Sequence, residues 1–307
     1  MKTNLKPNAT KLLRRLRGQL FRASRLPEPP QTPWRRRRLL DSLVSHEERI
    51  VSGVGDVLRL TARVPYDRTE AAGGLAFPGG IGPRPSDLRV MARIAHLRGL
   101  SRVALDRIAV LDTETTSLLD KPEAVPFIVG LGHFGANEFI VEQFFMEDFE
   151  SEPAMMKMIA RRMRDFCVIF SYNGKAFDLP LLKRRFALQR LPQATWKRTH
   201  WDILAAARRL WRKRAPSCSL VGLETKVFDF HRAHTIEMNR IPLAYHEYLG
   251  GRRAERLAAV FDHNAQDILT TAALAVTLAR AIANPKEALE RGIVDAGSLE
   301  RFAGKHS

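Results

Sequence analysis

The stretch RIAVLDTETTSLL, residues 107–119, constrains the fold more than any other. Ile108 to Leu111 form an unbroken apolar run, the pattern of a strand covered on both faces, yet the run ends on Asp112 and Glu114. Side chains two apart on an extended chain project from the same face, so a strand expected over 107–112 delivers two carboxylates side by side. Like charges held together repel unless a cation lies between them. Taken alone, the pair reads most simply as solvated acids at a wet strand end.

The elements around this strand are regular. Strands are expected near 126–132 and 138–145, a helix over roughly 151–164 and a strand in CVIFSYNG (167–174). THWDILAAARRLWRK adds a short last strand before a helix, and 218–282 is mostly helical. Three strands, then helix, strand and helix, describe a mixed sheet flanked by helices, an α/β fold, not a wholly parallel doubly wound one. Upstream, DVLRLTARVPY (56–66) alternates as a half-buried strand does, and AAGGLAFPGGIGPRP (71–85) reads as a loop. Residues 39–100 are thus an accessory region of open fold, and 284–307 a tail without a clear period.

Lys and Arg number 50 against 33 Asp and Glu, a net charge of +17, which attracts polyanions at a distance and makes nucleic acid the leading partner class. The excess is concentrated in residues 1–38, with twelve Lys or Arg and one acid, Glu28. There KLLRRLRGQLFRASRL (11–26) has the pattern of a basic amphipathic arm, and prolines at 27, 29, 30 and 33 make a stiff linker; a flexible tail is the simpler reading, with a nucleic-acid arm and a membrane-surface helix as the alternatives. No run approaches the roughly 18 uninterrupted apolar residues of a membrane helix, and no secretory signal is expected, so a cytoplasmic location is the default. Cys167 and Cys218, the two cysteines, form no metal-binding pattern and read as buried thiols.

Further acids stand at telling places. In FSYNGKAFDLPLL (170–182), Asn173-Gly174 is a turn pair and Asp178 falls in the first turn of a helix, beyond the C-terminal end of a strand, where ligands gather in open α/β sheets. Helix capping is the simpler role there. In FDHNAQDILTTAALAVTLARAI (261–282), His263 and Asp267 lie four apart at the start of a helix and share a face. Asp202 in THWDIL stands where a strand ends, as an N-cap or a further acid of the site. Lys175, Lys183, Arg184 and Arg185 are candidate backbone contacts or a solvated face. Phe177 and Tyr172 are candidates for base stacking, with core packing the simpler role for Phe177.

The ordered set, Asp-x-Glu on a first strand, Asn-Gly-x-x-Phe-Asp after a fourth and His with a downstream Asp on the last helix, resembles the DEDD superfamily of ribonuclease H-like 3′-5′ exonucleases. More narrowly, LDTETTSLL, SYNGKAFDLPLL, THWDILAAARRLWRKRAPSCSLVGLE, RIPLAYHEYL and HNAQDIL look like the YprB-type ribonuclease H-like domain. The resemblance covers about 104–283.

It implies a ribonuclease H-like mixed β-sheet flanked by helices, and a site of Asp112, Glu114, Asp178 and Asp267, hard oxygen donors suited to two Mg²⁺ or Mn²⁺ ions. Asp202 is a possible addition to that set. The implied reaction is hydrolysis of phosphodiester bonds in DNA or RNA from the 3′ end. His263 is the implied general base, although the histidine branch commonly places it five residues before the last Asp, whereas four is the spacing of the tyrosine branch. Asn173, Lys175 and Asn264 are candidate nucleic-acid contacts. Two alternatives remain open: a nucleic-acid-binding or scaffolding module on a nuclease-like fold, and a structure-specific endonuclease.

Overall fold

The computed structural model describes residues 44–52, 55–69, 75–80, 82–117, 123–213, 215, 217–233, 235–250 and 254–303. The basic arm and linker of 1–38 lie outside them.

Seven strands form one sheet: β1 (Val44–Ser52), β2 (Gly55–Pro65), β3 (Ile108–Thr115), β4 (Pro126–Phe134), β5 (Glu138–Phe145), β6 (Val168–Ser171) and β7 (Thr199–Asp202). Their order is β1-β2-β5-β4-β3-β6-β7. Neighbours from β1 to β3 pair antiparallel, whereas β3, β6 and β7 run parallel, so the sheet is mixed, as the order of elements predicts. β3 runs three residues further than the apolar pattern indicates and carries both acids within the ladder.

The helices are α1 (Pro85–Ile94), α2 (Glu152–Arg162), α3 (Asp178–Leu188), α4 (Ile203–Trp211), α5 (Leu220–Phe228), α6 (Ile241–Leu249), α7 (Ala254–Ala283), α8 (Pro285–Glu290) and α9 (Ala296–Ala303). Ile108 and Val110 of β3 pack in one core with Val141, Phe170 and the α7 residues Ile268, Leu269 and Ala272. Ala109 and Leu111, projecting to the opposite face, pack with Met155, Met156 and Ile159 of α2 and Leu182 and Phe186 of α3. Burial on both faces is why β3 reads as continuous apolar sequence and not as alternation.

α7 is the organising helix. Its 30 residues span about 45 Å at 1.5 Å per residue, and it contacts β3, β4, β5 and β6. It comes so close because β4 carries Gly130 and Gly132: a Cβ at either would lie only 2.3 or 2.4 Å from a carbon of Ile268, well inside van der Waals contact. By length and composition 256–283 could cross a membrane, but most of it is buried inside the fold, as befits a core helix.

Three expectations are corrected. The half-buried strand expected at 56–66 is β2, and it pairs with β5, so 44–65 extends the central sheet and is no separate accessory unit. The tail from 284 contains α8 and α9, and Phe302 of α9 is buried in the main core. Of the two thiols Cys218 is buried but Cys167 is exposed.

Candidate active site

Asp112 pairs with Gly130, and Gly130 with Gln143, giving a row of three residues across β3, β4 and β5. Because the middle member has no side chain, Asn264 of α7 fits over it and bridges its neighbours. Its Nδ2 donates to Asp112 Oδ2 at 2.7 Å, and its Oδ1 accepts from Gln143 Nε2 at 2.9 Å. Gln143 Nε2 also donates to the carbonyl of Phe261 at 2.9 Å. Asn264 is 0% exposed, which corrects the expectation of a direct nucleic-acid contact: it orients a carboxylate instead.

Glu114, two residues on, projects to the same face and is buried. Asp178 opens α3, and its Oδ1 accepts from Thr113 Oγ1 at 2.6 Å, which ties the second motif to the first. The preceding turn holds Asn173 at φ 67°, and a Cβ on Gly174 would lie 2.5 Å from Ser171 Oγ and 3.0 Å from Asp178 Oδ2. The Asn-Gly pair is therefore required by the close approach of this loop to the acid.

These carboxylates feel one another. Burial, and then the charges of Asp267, Asp178 and Glu114, hold Asp112 well above the usual carboxylate range, against the bond from Asn264. Glu114 is raised by burial, Asp267 and Asp178, with Arg232 opposing. Asp178 is pushed up to about 6, by burial foremost, while its bonds to Thr113 and to backbone amides pull it down.

Asp267 has a different environment. Arg232 Nη2 donates to Asp267 Oδ1 at 2.5 Å and to Glu224 Oε1 at 2.7 Å, and Arg232 Nε donates to Glu224 Oε2 at 2.7 Å. The Thr270 hydroxyl donates to Glu224 as well. Burial disfavours the Arg232 charge, but Asp267 and Glu224 outweigh it and hold the guanidinium more firmly protonated than usual.

Arg232 Nη1 also reaches His263 Nδ1 at 3.2 Å. A guanidinium can only donate, so Nδ1 accepts and the imidazole proton is on Nε2, which lies 3.5 Å from Asp267 Oδ2. In this arrangement His263 has no free lone pair. His263 and Asp267 lie well inside α7, which begins at Ala254, and not at a helix start as the sequence suggests. Neither Glu224 nor Arg232 was singled out from sequence, although the quoted motif SCSLVGLE ends on Glu224.

Asp202 is fully engaged in the fold. Its Oδ1 accepts from the amides of Asn173 at 2.9 Å and Leu204 at 3.1 Å, and its Oδ2 from Lys175 at 3.0 Å. It caps α4 and pins the Asn-Gly turn. The Asn173 and Lys175 contacts it makes are through backbone, leaving the Lys175 side chain exposed. Arg185 is taken up by Glu152, Phe177 is 38% exposed and not in the core, and the Tyr172 hydroxyl donates to the Cys218 carbonyl.

Four carboxylates with partly unopposed charge are a hard-oxygen donor set of the kind divalent cations take. Among the described residues, however, no three His, Cys, Asp or Glu side chains stand close enough to hold a metal ion as they are; the set fits in charge and donor type, and Arg232 is the cation it now contacts.

The RNase_H superfamily model matches residues 109–279, more than half the chain, and the chain belongs to that superfamily. Over 197 residues the chain is 28% identical to the uncharacterized protein YprB of Bacillus subtilis (strain 168), covering 64% of this chain and 47% of that protein. A family B DNA polymerase from the archaeon Pyrobaculum calidifontis aligns over 86% of this chain and 50% of its own, at 11% identity and a TM-score of 0.43, a likeness too loose to bear on function. The chain thus spans about half the length of these proteins. The superfamily match supports a nuclease-like fold.

Proposed function

We propose that this chain is a divalent-metal-dependent nuclease of the DEDD kind, hydrolysing phosphodiester bonds in DNA or RNA from the 3′ end. The observation that carries the reading is the group of mutually repelling carboxylates, Asp112, Glu114 and Asp178, with Asp267 nearby, at the C-terminal end of the parallel strands of an RNase H superfamily fold. Asp112, Glu114, Asp178 and Asp267 would hold Mg²⁺ or Mn²⁺. Bound there, two ions would offset the charge of the phosphate and activate a water for in-line attack.

The chain's own residues do the positioning. Asn264 and Thr113 fix the rotamers of Asp112 and Asp178, and Asp202 holds the loop that delivers Asp178. His263 takes the proton of the attacking water in this reading once Arg232 Nη1 turns away from Nδ1. Closure of Asp267 onto Arg232 favours a second reading, a nucleic-acid-binding module in which that acid is permanently neutralised.

One assay separates them. Purified protein with Mg²⁺ or Mn²⁺ is expected to shorten 5′-labelled single strands of DNA or RNA in a ladder from the 3′ end, to leave single-stranded circles intact, and to lose activity in Asp112→Ala. Cleavage of circles would replace the exonuclease by an endonuclease. Binding by wild type and Asp112→Ala alike, with no hydrolysis by either in either metal, would refute catalysis.

A further inference from the structure

At the edge of the sheet opposite the carboxylates lies a cavity of about 480 Å³. Lys157 and Arg161 of α2, Arg164 just after it, and Arg198 of the loop entering β7 line it, over an apolar floor that includes Leu191 and Pro192. The register fixes its position: Ile108 is level with Val168, and Val168 with Thr199. The segments that end at Arg164 and Arg198 therefore reach the N-terminal ends of the parallel strands. Glu114 lies six residues along β3 from that level, about 20 Å at 3.3 Å per residue.

Among the described residues, nothing opposes the four cations. None of their side chains has an ion pair or hydrogen bond to another described residue, and Arg198 Nε is buried without any partner. The neighbouring acids are already engaged: Glu142 and Asp165 with Arg162, and Glu152 with Arg185. Lys157 and Arg161 are four apart on one helix, where like charges repel. A buried donor without an acceptor, amid converging positive charge, calls for an anion from outside the chain.

We propose that this cavity is a second nucleic-acid contact, gripping the phosphodiester backbone of a strand whose end lies at the carboxylates about 20 Å away. The inference rests on the nucleic-acid reading above. Phosphates would meet the guanidinium groups, and the apolar floor would take the edge of a sugar or base. The cavity's distance from the carboxylates makes it a site of strand affinity, with no part in the reacting atoms.

The test is fluorescence anisotropy with a labelled 25-nucleotide strand in metal-free buffer, comparing wild type, the pair Arg161→Gln with Arg164→Gln, and a control pair Lys213→Gln with Lys286→Gln. All four side chains are exposed, and matching circular dichroism spectra would verify the folds. The cavity pair is expected to raise Kd tenfold or more and to reduce the salt slope by about 1.4, two contacts at 0.7 each, while the control changes Kd less than threefold. Equal effects of the two pairs, or none from the cavity pair, would overturn the inference. So would binding of nucleoside monophosphate or inorganic phosphate without any binding of the strand, which would make the site one for a small phosphate. Strand binding through the cavity without hydrolysis would leave the inference standing and remove the nuclease reading; hydrolysis with an unchanged Kd in the cavity pair would do the reverse.

Discussion

Replacing Asp178 by Asn is expected to stabilise the metal-free protein at neutral pH and to have no such effect in acid. Burial, chiefly, moves its carboxyl from an ordinary 3.8 to about 6, so the folded state binds a proton more tightly than the unfolded state. A raised acid of this kind does not penalise folding below pH 3.8; the penalty grows as pH rises through 3.8 to 6 and is complete above 6. Two units at 1.36 kcal/mol each make it about 3 kcal/mol at pH 7.5. Asn keeps an oxygen for the Thr113 hydroxyl and cannot ionise. At 2–4 °C per kcal/mol for a domain of this size, Tm is expected to rise by about 6–12 °C at pH 7.5 in EDTA and to match wild type near pH 4. Thermal unfolding followed by circular dichroism at both pH values measures this. An equal or lower Tm for Asp178→Asn at pH 7.5 would refute the claim that unopposed charge is stored at this position.

Three other perturbations test neighbouring parts of the site. Arg232→Met leaves Glu224, 1% exposed, without its buried counter-ion and is expected to cost about 3–5 kcal/mol in urea unfolding, with the double change Arg232→Met and Glu224→Leu recovering most of it. Gly130→Ala drives a methyl into Ile268 and Asn264 and is expected to cost about 1–3 kcal/mol and to weaken divalent-ion binding, read as a smaller Mn²⁺-induced rise in Tm. Asp202→Ala strands three backbone amides and is expected to cost about 1–2 kcal/mol or more, with faster hydrogen exchange at 173–175, whereas Asp202→Asn retains part of the loss.

What could be read in advance was whatever leaves a periodic or positional mark. Asp112 and Glu114 were legible because a strand alternates every second residue, and Asp178 because a turn pair precedes it. β1 escaped notice because VSHEERIVS is mostly polar, as an edge strand can be. Arg232 escaped for a deeper reason: it lies in an aperiodic loop, eight residues from Glu224 and 35 from Asp267, and only tertiary packing shows that its charge is buried. The role of Asn264 depended on Gly130 of another strand, a relation no local pattern contains. Asp202 was ambiguous between cap and site, and its three amide bonds assign it to the loop scaffold.

The hairpin of β1 and β2 also bears on how this protein can be cut. The family match begins at residue 109, which invites trimming just upstream. Such a cut would strip β2 from β5 along eight paired positions, Leu58 to Pro65, and bare a strand carrying Phe139, Val141, Phe144 and Phe145. An uncovered apolar edge is a template for strand addition between molecules, so the shortened protein would be prone to aggregate although every carboxylate of the site remained. The first 65 residues therefore include the strand that covers this edge of the sheet as well as the arm that carries most of the net charge.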